Sequence, residues 1–272
     1  MPSQLPTFLV LGAAKSGTTS LAMYLAAHPE VFVASRKEVR FFDRHWDQGL
    51  DWYAEHFAKA GDARAVGEAS PAYLTNPEVV DRVAATLPGV RAVVLLRDPV
   101  ARAVSAYHFA VGLGLEKRSL ETALVPAEEG PFQPLYLETG HYATHLARWF
   151  DALGRDDVLV ELFDDLEARP EEVFARVCRH LDVDDAVVPT NLGEVFHESY
   201  RIRWRWYREL TTRTLRTWDR LPLRVAYRVS ALNRVKTGYG APPTELVARL
   251  REHYAPHDAA LTELLGRPLP WG

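Results

Sequence analysis

FLVLGAAKSGTTS, residues 8–20, is the stretch whose reading decides the fold. Its short apolar run ends at Gly12 and reads as a buried strand over residues 8–11. A loop rich in glycine and hydroxyls follows, then a helix over residues 19–27 that stops before His28 and Pro29. A strand that passes through such a loop into a helix suits phosphate. Backbone N–H groups at a helix N-terminus point outward, and the helix dipole adds partial positive charge there. Gly12 and Gly17 let the backbone turn tightly and approach an anion. Lys15 adds a point charge, Thr18, Thr19 and Ser20 add hydroxyl donors, and Ser16 lies in the same loop. The loop departs from the G-x-x-x-x-G-K-[ST] pattern, because Thr18 stands where that pattern has lysine.

Working outward, short apolar runs alternate with helical patterns. Strands are expected at 31–33, 66–68, 91–96 and 158–162, and helices at about 77–87, 99–109, 141–153 and 171–181. Asn76-Pro77-Glu78 is a strong helix start, with a cap, a proline at the first position and an acid in the first turn. Such alternation implies βαβ units and a parallel sheet, hence an α/β fold with flanking helices. Residues 112–134 read as a surface excursion, a lid in form, with a short helix after Ser119. From Tyr200 onward the chain reads as all helical.

The chain has 272 residues, 47% apolar and 25% charged, with a net charge of −4. These values exclude disorder, collagen and a small disulfide scaffold. Cys178 is the single cysteine, which fits a reducing, cytoplasmic setting. Residues 1–17 read as neither signal peptide nor anchor, and no run approaches the ~18 apolar residues of a spanning helix. The expected organisation is one domain over 1–272, with 200–237 as an elaboration. Residues 201–236 hold eleven basic residues against Glu209 and Asp219, interleaved with Trp204, Trp206, Tyr207, Trp218 and Tyr227. That segment admits three readings: a solvated helical face, a surface for an anionic or glycan acceptor, or a peripheral contact with an anionic membrane. The acidic whole and the lack of a readout module argue against nucleic acid.

The loop resembles the 5′-phosphosulfate loop of sulfotransferases that use 3′-phosphoadenosine 5′-phosphosulfate (PAPS). LLRDPVARAVSAYHF, residues 95–109, is similar to that family's 3′-phosphate segment. By that match Arg97 and Ser105 bind the 3′-phosphate, and Arg97 stands at a strand's carboxyl end, where α/β sheets bind ligands. KEVRFFD (37–43), GLDWY (49–53) and GEASPAYL (67–74) resemble the heparan-sulfate-type branch and its bacterial relatives. In the glycosaminoglycan enzymes a lysine often follows the glutamate of the last block; here it is Ala69, which favours a broader bacterial subgroup. KTGYG (236–240) is a partial counterpart of that branch's nucleotide-covering loop and implies Lys236 as a nucleotide contact.

The resemblance implies PAPS as donor, 3′-phosphoadenosine 5′-phosphate (PAP) as product, no required metal, and in-line transfer to a hydroxyl, with an amine less favoured. The expected acceptor is a carbohydrate, glycolipid or secondary metabolite. By the same match Glu38 is the general base, beside apolar Val39, Phe41 and Phe42, and Lys15 balances charge on the departing phosphate. A surface pairing of Glu38 with Arg36 or Lys37 is the other reading of that carboxylate. Glu68 and Ser70, after a strand end, line the acceptor side or serve only as structural hydrogen-bonding groups. Two alternatives compete: a small-molecule kinase, against which the misplaced lysine argues, and a non-catalytic nucleotide- or membrane-binding module. His141 and His145 share one helix face but lack a third ligand, and Pro256 is expected to break the spacing of His253 and His257. Tyr142, Trp149 and Cys178 read as packing.

Overall fold

The computed structural model describes residues 4–35, 38–126, 133–194, 196, 200–202, 234–236 and 239–271. Five strands, β1 (Phe8–Gly12), β2 (Val31–Val33), β3 (Ala65–Ala69), β4 (Arg91–Leu96) and β5 (Val158–Leu162), form one parallel sheet in the order β2-β3-β1-β4-β5. Each is a short run buried on both faces, the pattern a parallel sheet covered by helices requires. Alternation along the strands sorts the core into two layers. Leu9, Leu11, Val94 and Leu96 face α3 (Gly49–Glu55), α4 (Pro77–Thr86) and α8 (Tyr142–Leu153). Phe8, Val10, Val93 and Leu95 face α1 (Thr18–Leu25) and α10 (Pro170–His180).

The remaining helices are α2 (Phe41–Arg44), α5 (Pro99–Gly112), α6 (Leu120–Ala123), α7 (Gln133–Tyr136), α9 (Phe163–Ala168) and α11 (Thr244–Leu265). Starts read from the sequence match observed caps. Asn76 accepts from the Glu78 N–H, Asp98 from the Val100 N–H, and Ser119 from the Thr122 N–H. Cys178 is buried among apolar side chains, which push its thiol up to about 12.

Two expectations fail. The region after Tyr200 is not all helical: β6 (Tyr200–Ile202) pairs antiparallel with β7 (Arg234–Lys236), and β6 lies against α5. The span from 203 to 233, with most of the basic aromatic segment, lies outside the described residues. Pro256 does not end α11, which runs through it. No helix among the described residues is long and apolar enough to cross a membrane.

Candidate active site

At the sheet's centre the chain leaves β1 toward the β2 side and leaves β4 toward β5. An open α/β sheet binds ligands at the carboxyl ends of strands where the winding reverses. The loop after β1 and the turn after β4 meet at this point, and the Ala13 N–H donates to the Leu95 carbonyl at 2.7 Å. Gly17 caps α1 at φ 84°, and a Cβ there would stand 2.8 Å from the Phe163 ring, so the close approach requires glycine. The first turn of α1 holds no acid, so its N–H groups and dipole keep their positive character.

Lys15 sits at φ 73° with its Nζ 4.4 Å from the Phe109 ring centroid. Arg97, just past β4, donates to the Lys15 carbonyl at 3.3 Å, and its guanidinium stands 4.5 Å from the Phe163 ring centroid. Ser105 is buried two turns into α5. Lys15, Gly17, Thr18, Thr19, Ser20, Arg97 and Ser105 line one cavity of about 280 Å³, whose wall also includes Glu38, Arg40, Phe109, Phe163 and Phe196.

Glu38 is exposed toward this cavity, and its mounting differs from expectation. Val39, Phe41 and Phe42 are fully buried in the core, with Phe41 stacked on Tyr53 at 4.4 Å between centroids. Their side chains therefore turn inward and do not surround the carboxylate. Glu68 and Ser70 are also fully buried, so neither lines the cavity wall. Glu68 instead collects four donors. Its Oε2 accepts the Val39 N–H at 3.1 Å and the Ser70 hydroxyl at 2.5 Å; its Oε1 accepts the Tyr53 and Tyr73 hydroxyls at 2.7 and 3.0 Å. The Arg40 N–H donates to Ser70 Oγ at 3.3 Å. Burial pushes the Glu68 carboxyl up from its ordinary value, while the four donors pull it back. This network clamps the two residues that follow Glu38. The Arg40 side chain forks onto Asp43 and stays on the cavity wall.

Three other residues of the sequence reading sit differently. Ser16 is fully buried and does not line the cavity. The Ser20 hydroxyl engages the Phe196 backbone, accepting its N–H at 3.2 Å, and so holds Phe196 at the rim. Lys236 lies in β7 opposite Tyr200, and its side chain is outside the described residues.

Sequence reasoning missed two supports. Tyr142 does more than pack: its hydroxyl donates to the Arg97 carbonyl at 2.8 Å. Arg251 of α11 forks onto Asp98 at 2.9 and 2.7 Å, so the residue after Arg97 is held from a distant helix. His141 and His145, four apart in the chain, take separate partners. His145 Nε2 meets the Glu138 carbonyl at 2.8 Å, while His141 meets His253 and His257. Burial, then the two neighbouring imidazoles, push His141 down to about 4.

A parallel sheet with a cationic strand-to-helix loop after β1 and an arginine after β4 defines an α/β protein with a positively charged crevice at the carboxyl ends of its central strands. The chain belongs to the sulfotransferase domain family, an enzyme family whose model matches residues 5–200. It is similar to the sulfotransferase from Alicyclobacillus acidocaldarius, with a TM-score of 0.75 and 27% identity over 98% of each chain. It is 42% identical to the membrane-associated sulfotransferase kil1 of Dictyostelium discoideum over 110 residues, 39% of this chain and 23% of that protein. It is 31% identical to human heparan sulfate glucosamine 3-O-sulfotransferase 3B1 over 149 residues, 54% of this chain and 38% of that protein. These alignments span well under half the length of both curated relatives.

Proposed function

We propose that this chain transfers the sulfuryl group of PAPS to a hydroxyl of a glycan or related acceptor. The observation that carries the reading is one cavity holding two kinds of group. Lys15, Arg97 and the N-terminus of α1 offer positive charge, and Glu38 offers a carboxylate. The donor set fits a nucleotide bearing phosphate at two positions, with the β1 loop and α1 for one and Arg97 with Ser105 for the other. Phe163 and Phe196 add apolar wall for a base. Thr18 in place of a lysine argues against a Mg-ATP site of the Walker type.

Bound PAPS supplies an activated sulfuryl group, whose sulfur gains a bond to the acceptor oxygen as its bond to the 5′-phosphate oxygen breaks. The chain's part is positioning and charge stabilisation. Glu38 takes the acceptor's proton, and its exposure at the cavity wall leaves room for a bulky acceptor. Lys15 and the α1 N–H groups hold the negative charge that grows on the departing phosphate. Arg97 and Ser105 fix the other phosphate and so set the line of attack. A glycan hydroxyl is the favoured acceptor because the human relative named above is a glucosamine 3-O-sulfotransferase.

The test is sulfate transfer from labelled PAPS to a panel of glycans, with Glu38→Gln beside the wild type. Turnover in Glu38→Gln should fall by ~10²–10⁴-fold with unchanged PAP affinity. Wild-type turnover in that variant would remove Glu38 as the base.

A further inference from the structure

Three histidines converge outside the set of residues that line the cavity. His141 stands at the start of α8, and His253 and His257 stand one turn apart on one face of α11. We propose that His141, His253 and His257 form a three-nitrogen site for a divalent transition cation of the zinc class, fastening the start of α8 to α11.

The donors, spacing and scaffold support this. Imidazole nitrogens suit zinc, cobalt, nickel and copper rather than magnesium or calcium. Two nitrogens bound at ~2.0–2.1 Å to a tetrahedral zinc lie about 3.3 Å apart. His141 Nε2 and His253 Nε2 are 3.1 Å apart, and a nitrogen from each of the three rings lies within 4.8 Å of the others. The His257 ring lies flat on His141, with centroids 3.7 Å apart and planes 11° from parallel. For its nitrogen to join the other two at a cation, the His257 ring has to turn out of this stack. The three rings are half-buried, which leaves a fourth position open to water.

The approach of His141 to α11 is built into the backbone. Gly140 precedes it, and a Cβ at that position would stand 2.7 Å from the Tyr254 ring. The Tyr254 hydroxyl donates to the Leu137 carbonyl at 3.0 Å. Glycine and tyrosine thus bring the start of α8 against α11 without any cation, as a preorganised site requires. The same two elements support Arg97 and Asp98, through Tyr142 beside His141 and through Arg251 two residues before His253. A cation here would lock both supports together.

Tag-free full chain, stripped with a chelator and dialysed, should be titrated with Zn²⁺ by calorimetry and with Co²⁺ by visible absorbance. The expected result is one equivalent bound, the intense visible bands of four-coordinate cobalt, and a thermal midpoint that rises with Zn²⁺. His253→Gln and His257→Gln should each weaken binding at least about tenfold, and His45→Gln should leave it unchanged. Absence of saturable binding by the wild type, or equal binding by wild type and both α11 variants, would overturn the proposal.

Discussion

Glu68→Gln tests the mounting of Glu38, the carboxylate proposed as the base. Glu68 is buried and accepts from the Val39 N–H and from the Ser70, Tyr53 and Tyr73 hydroxyls. A charged acceptor makes each of these stronger than a neutral bond, ~1.5–3 against ~1 kcal/mol. Glutamine keeps the shape but offers one carbonyl. The Val39 N–H cannot rotate, so the carbonyl must stay with it, and the amide then faces Tyr53 and Tyr73. Those hydroxyls can turn to accept, but Tyr73 already accepts the Phe42 N–H at 3.3 Å. The expected loss is about 2 kcal/mol, or roughly 4–8 °C in thermal midpoint for a chain of this size. Glu68→Ala would strand four buried donors at ~1–3 kcal/mol each, close to the whole stability of a typical domain. Glutamine is therefore the informative change. Val39 adjoins Glu38, so loosening it should lower kcat roughly ten- to hundredfold. PAP affinity, set on the other side of the cavity, should hold. Denaturation, calorimetry and steady-state rates measure the three quantities. Wild-type kcat in a variant that has lost the expected stability would refute the positioning role. A parallel loss of PAP binding would also refute it, as a general collapse of the site.

Two further outcomes follow from the same geometry. Tyr142→Phe removes the donor to the Arg97 carbonyl and should raise the PAP dissociation constant about fivefold, for ~1 kcal/mol of hydrogen bond; calorimetry showing unchanged affinity would mean Arg97 is held by other contacts. Glu116 is held down to about 2 by the Arg118 guanidinium, assisted by the Arg118 and Lys117 N–H groups and the Tyr136 hydroxyl. A depressed carboxylate adds stability that is fully present above its unfolded value near 4.5 and is lost as pH falls toward 2. Hydrogen exchange of residues 113–124 should therefore accelerate over that window in the wild type and lose this pH dependence in Glu116→Gln; matching profiles would refute the assignment.

What the sequence revealed was local. Strand, loop and helix over residues 8–25 are neighbours in the chain, and so are β4, Arg97 and the Asp98 cap, so their chemistry could be read in order. The mounting of Glu38 was hidden because Glu68 meets Val39 across 29 residues, and only folding shows that a glutamate in a strand points at that loop. The histidine trio joins residues 112 apart, with a proline between two of them that ordinarily signals a break. Here one lost backbone bond is tolerated inside a long helix that packs on α8 and α5. The strand pair at Tyr200–Ile202 and Arg234–Lys236 was missed because YRI and RVK are not apolar runs and lie within an arginine-rich sequence that reads as helical throughout.

The crevice between the β1 loop and Arg97 is proposed to receive a nucleotide with phosphates at its 3′ and 5′ positions. Calorimetric titration with PAP, with AMP and Mg-ATP as controls, tests it without any acceptor. Clear preference for PAP is expected, with a loss of about ten- to hundredfold in Arg97→Ala and in Lys15→Ala, each for a charged contact of ~1.5–3 kcal/mol. Preference for Mg-ATP, or an Arg97→Ala variant that binds PAP like the wild type, would contradict it.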